Sequence, residues 1–173
     1  MAVAGTAAFV VLCVGGFWFY GPTLLFVSRM LFGAGLIALF VTDLEHRLLP
    51  NAITLPGIVM GFLFSLVTDT GWQASLIGIA AGGGLPLAVG EIYARVRGRE
   101  GVGMGDVKML AMIGAFLGWQ GALLSLLFGS MAGTIVGLAT IVLRGGNLQH
   151  ALPFGTFLAA GAVVSEILMR LAR

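Results

Sequence analysis

The chain has 173 residues, of which 59% are hydrophobic and only 9% charged, with a formal net charge of +2. An ordinary soluble domain is about one quarter charged, so the polar residues are too few to clothe a water-soluble core, and the small net charge points to no nucleic-acid partner. The single cysteine, Cys13, lies inside an apolar run, which excludes a disulfide framework and a thiolate metal cluster.

The pattern predicts an all-α, polytopic membrane bundle of about seven helices, organised as one membrane-embedded domain over residues 1–173. No basic segment opens the chain, so the first span, Val3 to Tyr20, is expected to be retained rather than cleaved as a signal. Gly21-Pro22 stops it. The second span, Thr23 to Thr42, ends in the polar cluster Asp43, Glu45, His46 and Arg47. Pro50-Asn51 turns the chain into a third span, Ala52 to Thr68, and Asp69-Thr70-Gly71 forms a loop. The fourth span, Gln73 to Tyr93, contains Gly82-Gly83-Gly84 and Pro86, and a kink or unwound turn is expected there. Arg95 to Asp106 is read as the longest polar loop. A short fifth piece, Val107 to Trp119, precedes a sixth span, Gly121 to Leu143, and a seventh, Pro153 to Met169. Twenty-eight glycines suit such a bundle, because small residues let membrane helices approach closely.

Seven crossings with a cytoplasmic N-terminus collect Arg47, Arg95, Arg97, Arg99, Lys108 and Arg144 on the inside. Arg29, Arg170 and Arg173 fall outside, as the positive-inside rule favours. If the short fifth piece did not cross, everything after it would invert. Trp18, Tyr20, Trp72 and Trp119 then fall near the outer interface as an aromatic belt.

Among the seven acids, Asp69 and Glu166 read as solvated ends and Glu91 as a flanking charge. Asp43 and Asp106 stand apart, since both are expected at one membrane depth on the cytoplasmic side. Two carboxylates held together share a proton, which supplies a base and an acid in one site, as aspartic proteases require. Both acids also fit ordinary helix ends: Asp106 favours an N-terminal macrodipole, and Asp43 stands four residues before Arg47. Ahead of Asp106 stand Gly103, Met104 and Gly105, and glycine permits positive φ or close backbone approach. An extended peptide could pair with such a turn.

Asp43 followed by Leu49-Pro50, together with Gly103-Met104-Gly105-Asp106-Val107-Lys108, resembles the type IV prepilin peptidases, a family of bacterial membrane aspartic proteases. Gly114 to Trp119 and Leu152-Pro153-Phe154-Gly155-Thr156 extend the similarity over most of the chain. The resemblance implies Asp43 and Asp106 as the catalytic pair in a bacterial inner-membrane endopeptidase, with no metal or cofactor. It further implies removal of a short basic leader from prepilins or pseudopilins of the type IV pilus and related secretion systems. Gly103 and Gly105 would receive substrate, Glu45 and Glu100 would meet the basic leader, and Lys108 would tune the pair. Longer members carry a domain with paired Cys-x-x-Cys ligands, linked to zinc and N-methylation. The single cysteine here points to a peptidase-only short form or an excised half, without methylation.

Two other readings compete. Presenilin-like and signal-peptide-peptidase-like proteases share Gly-x-Gly-Asp but differ around the first aspartate. A small transporter would use the two aspartates for a cation and the broken fourth span as a discontinuous helix.

Overall fold

A computed structural model describes residues 23–98, 101–144 and 153–172. The expected span Val3 to Tyr20, with Cys13, Trp18 and Tyr20, lies outside the described residues, as do Arg99, Glu100, His150 and Leu152. The all-α class holds, but the count of seven does not. The described residues form five helices: α1 (Leu24–His46), α2 (Asn51–Ser65), α3 (Trp72–Arg97), α4 (Met104–Arg144) and α5 (Phe154–Leu171). Four of them are long and apolar enough to cross a membrane; α2, with 15 residues, is too short.

The Thr23 side chain caps α1, accepting from the Phe26 N–H at 3.3 Å. The helix runs four residues past the expected end at Thr42. It stops where Arg47 takes a left-handed conformation (φ 52°) and its N–H closes on the Asp43 carbonyl at 2.9 Å. Asp43 therefore remains inside the helix because its side chain has a partner, described below. Leu48 to Pro50 belongs to no helix, and Pro50, with extended backbone, opens α2. Gly71 and Gly98 bracket α3, both at positive φ, and the Gly98 N–H donates to the Ala94 carbonyl at 2.8 Å. Because α3 extends to Arg97, the long polar loop expected from Arg95 contracts to a short connection.

The expected unwinding at Gly82 to Gly84 does not occur, and α3 is one uninterrupted helix with Pro86 inside it. The glycines act in packing instead. A Cβ on Gly78 would collide with the Gly114 carbonyl, and one on Gly82 with the Leu110 carbonyl. The α3 and α4 backbones thus meet without intervening side chains.

The expected fifth and sixth pieces form one element, α4, broken at Gly118 (φ 77°, ψ 179°) rather than near Gln120. A Cβ on Gly82 would touch both the Leu110 carbonyl and the Ala122 methyl. A straight helix would separate those two by about 18 Å, so the chain reverses at Gly118. The first arm, Met104 to Leu117, is about 21 Å long, short of the ~30 Å hydrocarbon core. It needs no lipid-spanning length because protein surrounds it. Residues Met109 to Gly118 are buried without interruption, and α1, α2, α3 and α5 all pack against α4. Phe32, Leu36 and Leu39 of α1 and Leu158, Ala159 and Ala162 of α5 close the core around Met109, Leu110, Met112, Ile113 and Phe116. The Phe32 and Phe116 rings stack at 4.9 Å. The second arm returns along α5, joined to it by the buried Ser125 and Ser165 hydroxyls at 3.0 Å.

The reversal bears on the inversion argument: the short fifth piece reaches the blind end, and the sixth returns the chain to the aspartate end. At the blind end of the first arm, three donors serve two carbonyls. Ser75 Oγ donates to Ala115 O at 2.8 Å, while Thr70 Oγ1 and Arg29 Nη1 donate to Phe116 O at 3.1 and 3.0 Å. Arg29 Nε stands 3.4 Å from Glu166 Oε1, so Glu166 is a half-buried partner and not a solvated end. Trp72 and Trp119 lie exposed at this same end, as an interfacial belt would have them.

Candidate active site

Asp43 and Asp106 reach the opposite end of the first arm from different helices. Asp43 sits in the last turn of α1 and is only 5% exposed. Its Oδ2 accepts two hydrogen bonds from one residue, the Thr156 N–H at 2.7 Å and the Thr156 hydroxyl at 3.0 Å. Thr156 belongs to the first turn of α5, whose own N-cap, Pro153, offers no side-chain acceptor. Asp43 therefore caps α5 from another helix, meeting a backbone donor that would otherwise lack an intrahelical partner. Gly155 makes the approach possible. A Cβ there would stand 3.0 Å from both Asp43 Oδ2 and Leu49 Cδ1.

Asp106 lies in the first turn of α4, where its N–H donates to the Gly103 carbonyl at 3.1 Å. An acid at this position complements the positive end of the helix. Asp43 is an electrostatic neighbour of Asp106. Leu49 fills the corner between their supports: it touches Gly155 on one side, and a Cβ on Gly105 would stand 2.9 Å from Leu49 Cβ on the other. The Leu49-Pro50 turn thus sets the spacing between the elements that carry the two acids.

The glycines before Asp106 do not serve through positive φ, which among the described residues is confined to Gly71, Gly98 and Gly118 for glycine. Gly105 is helical and makes room for Leu49. Gly103 is exposed, and a Cβ on it would stand 3.3 Å from Asp106 Oδ2. Lys108 does not extend freely to the interface, because its Nζ donates to Asn51 Oδ1 at 2.8 Å and ties the first turn of α4 to the start of α2. Glu45 is exposed two residues beyond Asp43, 3.9 Å from the His46 imidazole. Glu100 lies outside the described residues.

The sequence reading missed Thr156, Gly155 and Asn51 as members of this site. Thr156 stood in a string already singled out, Leu152 to Thr156, but a threonine inside an apolar run carries no mark of its partner.

A family model described as the type IV leader peptidase family matches residues 30–138, a stretch that includes both aspartates. The chain belongs to this family. Among curated relatives named prepilin leader peptidase/N-methyltransferase, that of Aeromonas hydrophila is 38% identical over 125 residues, covering 72% of this chain and 43% of its own length. The Pseudomonas aeruginosa relative is 34% identical over 148 residues, 82% of this chain and 49% of its own. That of Burkholderia pseudomallei is 33% identical over 155 residues, 89% and 50% respectively. The chain thus spans about half the length of the leader peptidases it matches. No solved structure matches it.

Proposed function

We propose that this leader peptidase family member is an aspartic endopeptidase that removes the short basic leader from prepilins or pseudopilins. It would act at the cytoplasmic edge of the bacterial inner membrane, with Asp43 and Asp106 as the catalytic pair. The observation that carries the reading is their convergence: two acids from separate helices are electrostatic neighbours at one end of a membrane bundle, one of them 5% exposed. Burial of two carboxylates together is costly unless they share a proton.

In such a pair one carboxylate takes a proton from water as the water oxygen attacks the scissile carbonyl. The partner gives its proton to the carbonyl oxygen. Collapse of the tetrahedral intermediate returns that proton and delivers the first to the leaving amine. No step requires a metal.

The sidedness rests on the basic residues. Arg47, Arg95, Arg97 and Lys108 stand at the aspartate end, Arg29 and Arg170 at the other, so the positive-inside rule directs the acids to the cytoplasm. A substrate whose cut site borders its own membrane helix would meet them there. Glu45 and Glu100 are the acidic side chains proposed to face the leader, with Gly103 and Gly105 beside the bound peptide and Lys108 holding the Asp106 turn. The transporter reading loses its main support, since α3 is not discontinuous.

The test is cleavage of a prepilin peptide by purified protein in detergent. Asp43→Asn and Asp106→Asn should each lower turnover by at least roughly 1000-fold, and the wild-type rate should trace a bell against pH. Wild-type turnover by either folded variant would refute the two-aspartate mechanism.

A further inference from the structure

We infer that Thr156 is a positioning residue that divides the work of the pair: it occupies Asp43 Oδ2, so that Asp43 acts as the base through Oδ1 and Asp106 holds the shared proton. The inference rests on the peptidase reading and adds to it an assignment of roles. A backbone N–H only donates, so the 2.7 Å bond from Thr156 N requires Oδ2 to accept. The hydroxyl bond at 3.0 Å supplies a second donor to the same oxygen. With two donors aimed at it, Oδ2 has no geometry left for carrying a proton toward a third group. That leaves Oδ1, on which no donor from the described residues sits, as the oxygen assigned to water and to Asp106.

Asp106 has a different setting. Among the described residues no side chain or N–H donates to its carboxylate, and its Oδ2 would stand 3.3 Å from a Cβ on Gly103. With no donor from the described residues on it, a carboxyl proton on Asp106 can point at an incoming carbonyl. The cycle balances: Oδ1 of Asp43 takes the water proton as the new C–O bond forms, and the Asp106 proton moves to the carbonyl oxygen. As the C–N bond breaks, the Asp43 proton leaves with the amine, and Asp106 recovers its own from the intermediate's hydroxyl. The donors on Oδ2 are unchanged throughout.

Thr156 also differs from a mere packing residue in being held by the same first turn that Asp43 caps. The backbone bond survives any side-chain substitution, so the hydroxyl can be tested apart from the fold. Thr156→Val keeps volume and the N–H but removes the second donor. It should lower kcat on the order of 10- to 100-fold, the scale of one hydrogen bond to a charged group, with KM within about twofold. Thr156→Ser restores the donor without the methyl and should turn over within about threefold of wild type. If Thr156→Val unfolds in detergent, Thr156→Ala is read in the same way. Wild-type kcat in the folded valine or alanine variant overturns the inference, as does a serine variant as slow as the valine one. Asp43→Asn is the reference: if it is inactive while Thr156→Val is fully active, only the role of Thr156 fails. If Asp43→Asn itself cleaves, the two-aspartate reading fails first.

Discussion

The two ends of the first arm of α4 are held by opposite kinds of group. At the blind end, hydroxyls and a guanidinium close on the Ala115 and Phe116 carbonyls, and Arg29 is locked in turn by Glu166. At the other end the arm is positioned by an apolar wedge, Leu49 against Gly105, and one bond from Lys108 to Asn51. Both ends satisfy the helix macrodipole, with an acid at the N-terminus and a cation at the C-terminus. Among the described residues, only at the blind end do side chains donate to the arm's own backbone carbonyls. The difference teaches how a buried helix can be anchored firmly from one end: the bonds on the Ala115 and Phe116 carbonyls lie about 15 Å along the arm from Asp106, the acid proposed to react.

The comparison breaks most sharply at Gly155. Gly155→Ala puts a methyl 3.0 Å from both Asp43 Oδ2 and Leu49 Cδ1, which drives α5 from α1 and moves the carboxylate. Turnover should fall on the order of 100-fold, since misplacement by about 1 Å is enough, while circular dichroism shows an intact helical bundle. At the blind end the same logic predicts the reverse outcome. Arg29→Met removes the guanidinium that faces Glu166 and one of two donors from Phe116 O. Thermal unfolding in detergent should show a loss of about 2 kcal/mol, the scale of removing a hydrogen bond from a charged donor, with turnover of the folded fraction changed by less than about threefold. A variant that lost activity without losing stability would show that the blind end participates in more than anchoring. The smallest effect belongs to the exposed rim. Glu45→Gln should raise KM for a basic leader by about two- to fourfold at low salt, with the difference vanishing at high salt.

The helical class was legible from composition, and the starts of α1, α2 and α3 fall within a residue or so of where capping and turn residues predict them. That Asp43 and Asp106 come together was legible because their strings are particular. What escaped the sequence depends on partners. Asp43 reads as the end of a span, since a charge at that depth is costly, yet Thr156 satisfies it and α1 continues to His46. Gly82 to Gly84 reads as a weak point, yet the Leu110 carbonyl fills the space that side chains would take. The division of α4 was visible, but its site was not: Gly118 and Gly121 are equivalent on paper, and only the reversal distinguishes the one at positive φ. Thr156 was invisible for the same reason, because hydroxyls in membrane helices commonly bond their own backbone, as Thr42 and Ser125 do here.

The sheathing of the first arm has a consequence for how the protein meets membranes of different composition. A helix bathed in acyl chains tilts or thins its surroundings when its apolar length does not match the bilayer. From Met109 to Gly118 no acyl chain reaches α4, so the adjustment falls on the outer helices, which turn exposed leucines and valines such as Leu87, Val89 and Val142 outward. The arm behaves as a rigid strut inside a compliant sleeve. Its length and the Gly118 stop hold Asp106 at a set distance from the blind end, whether the surrounding lipids are short or long.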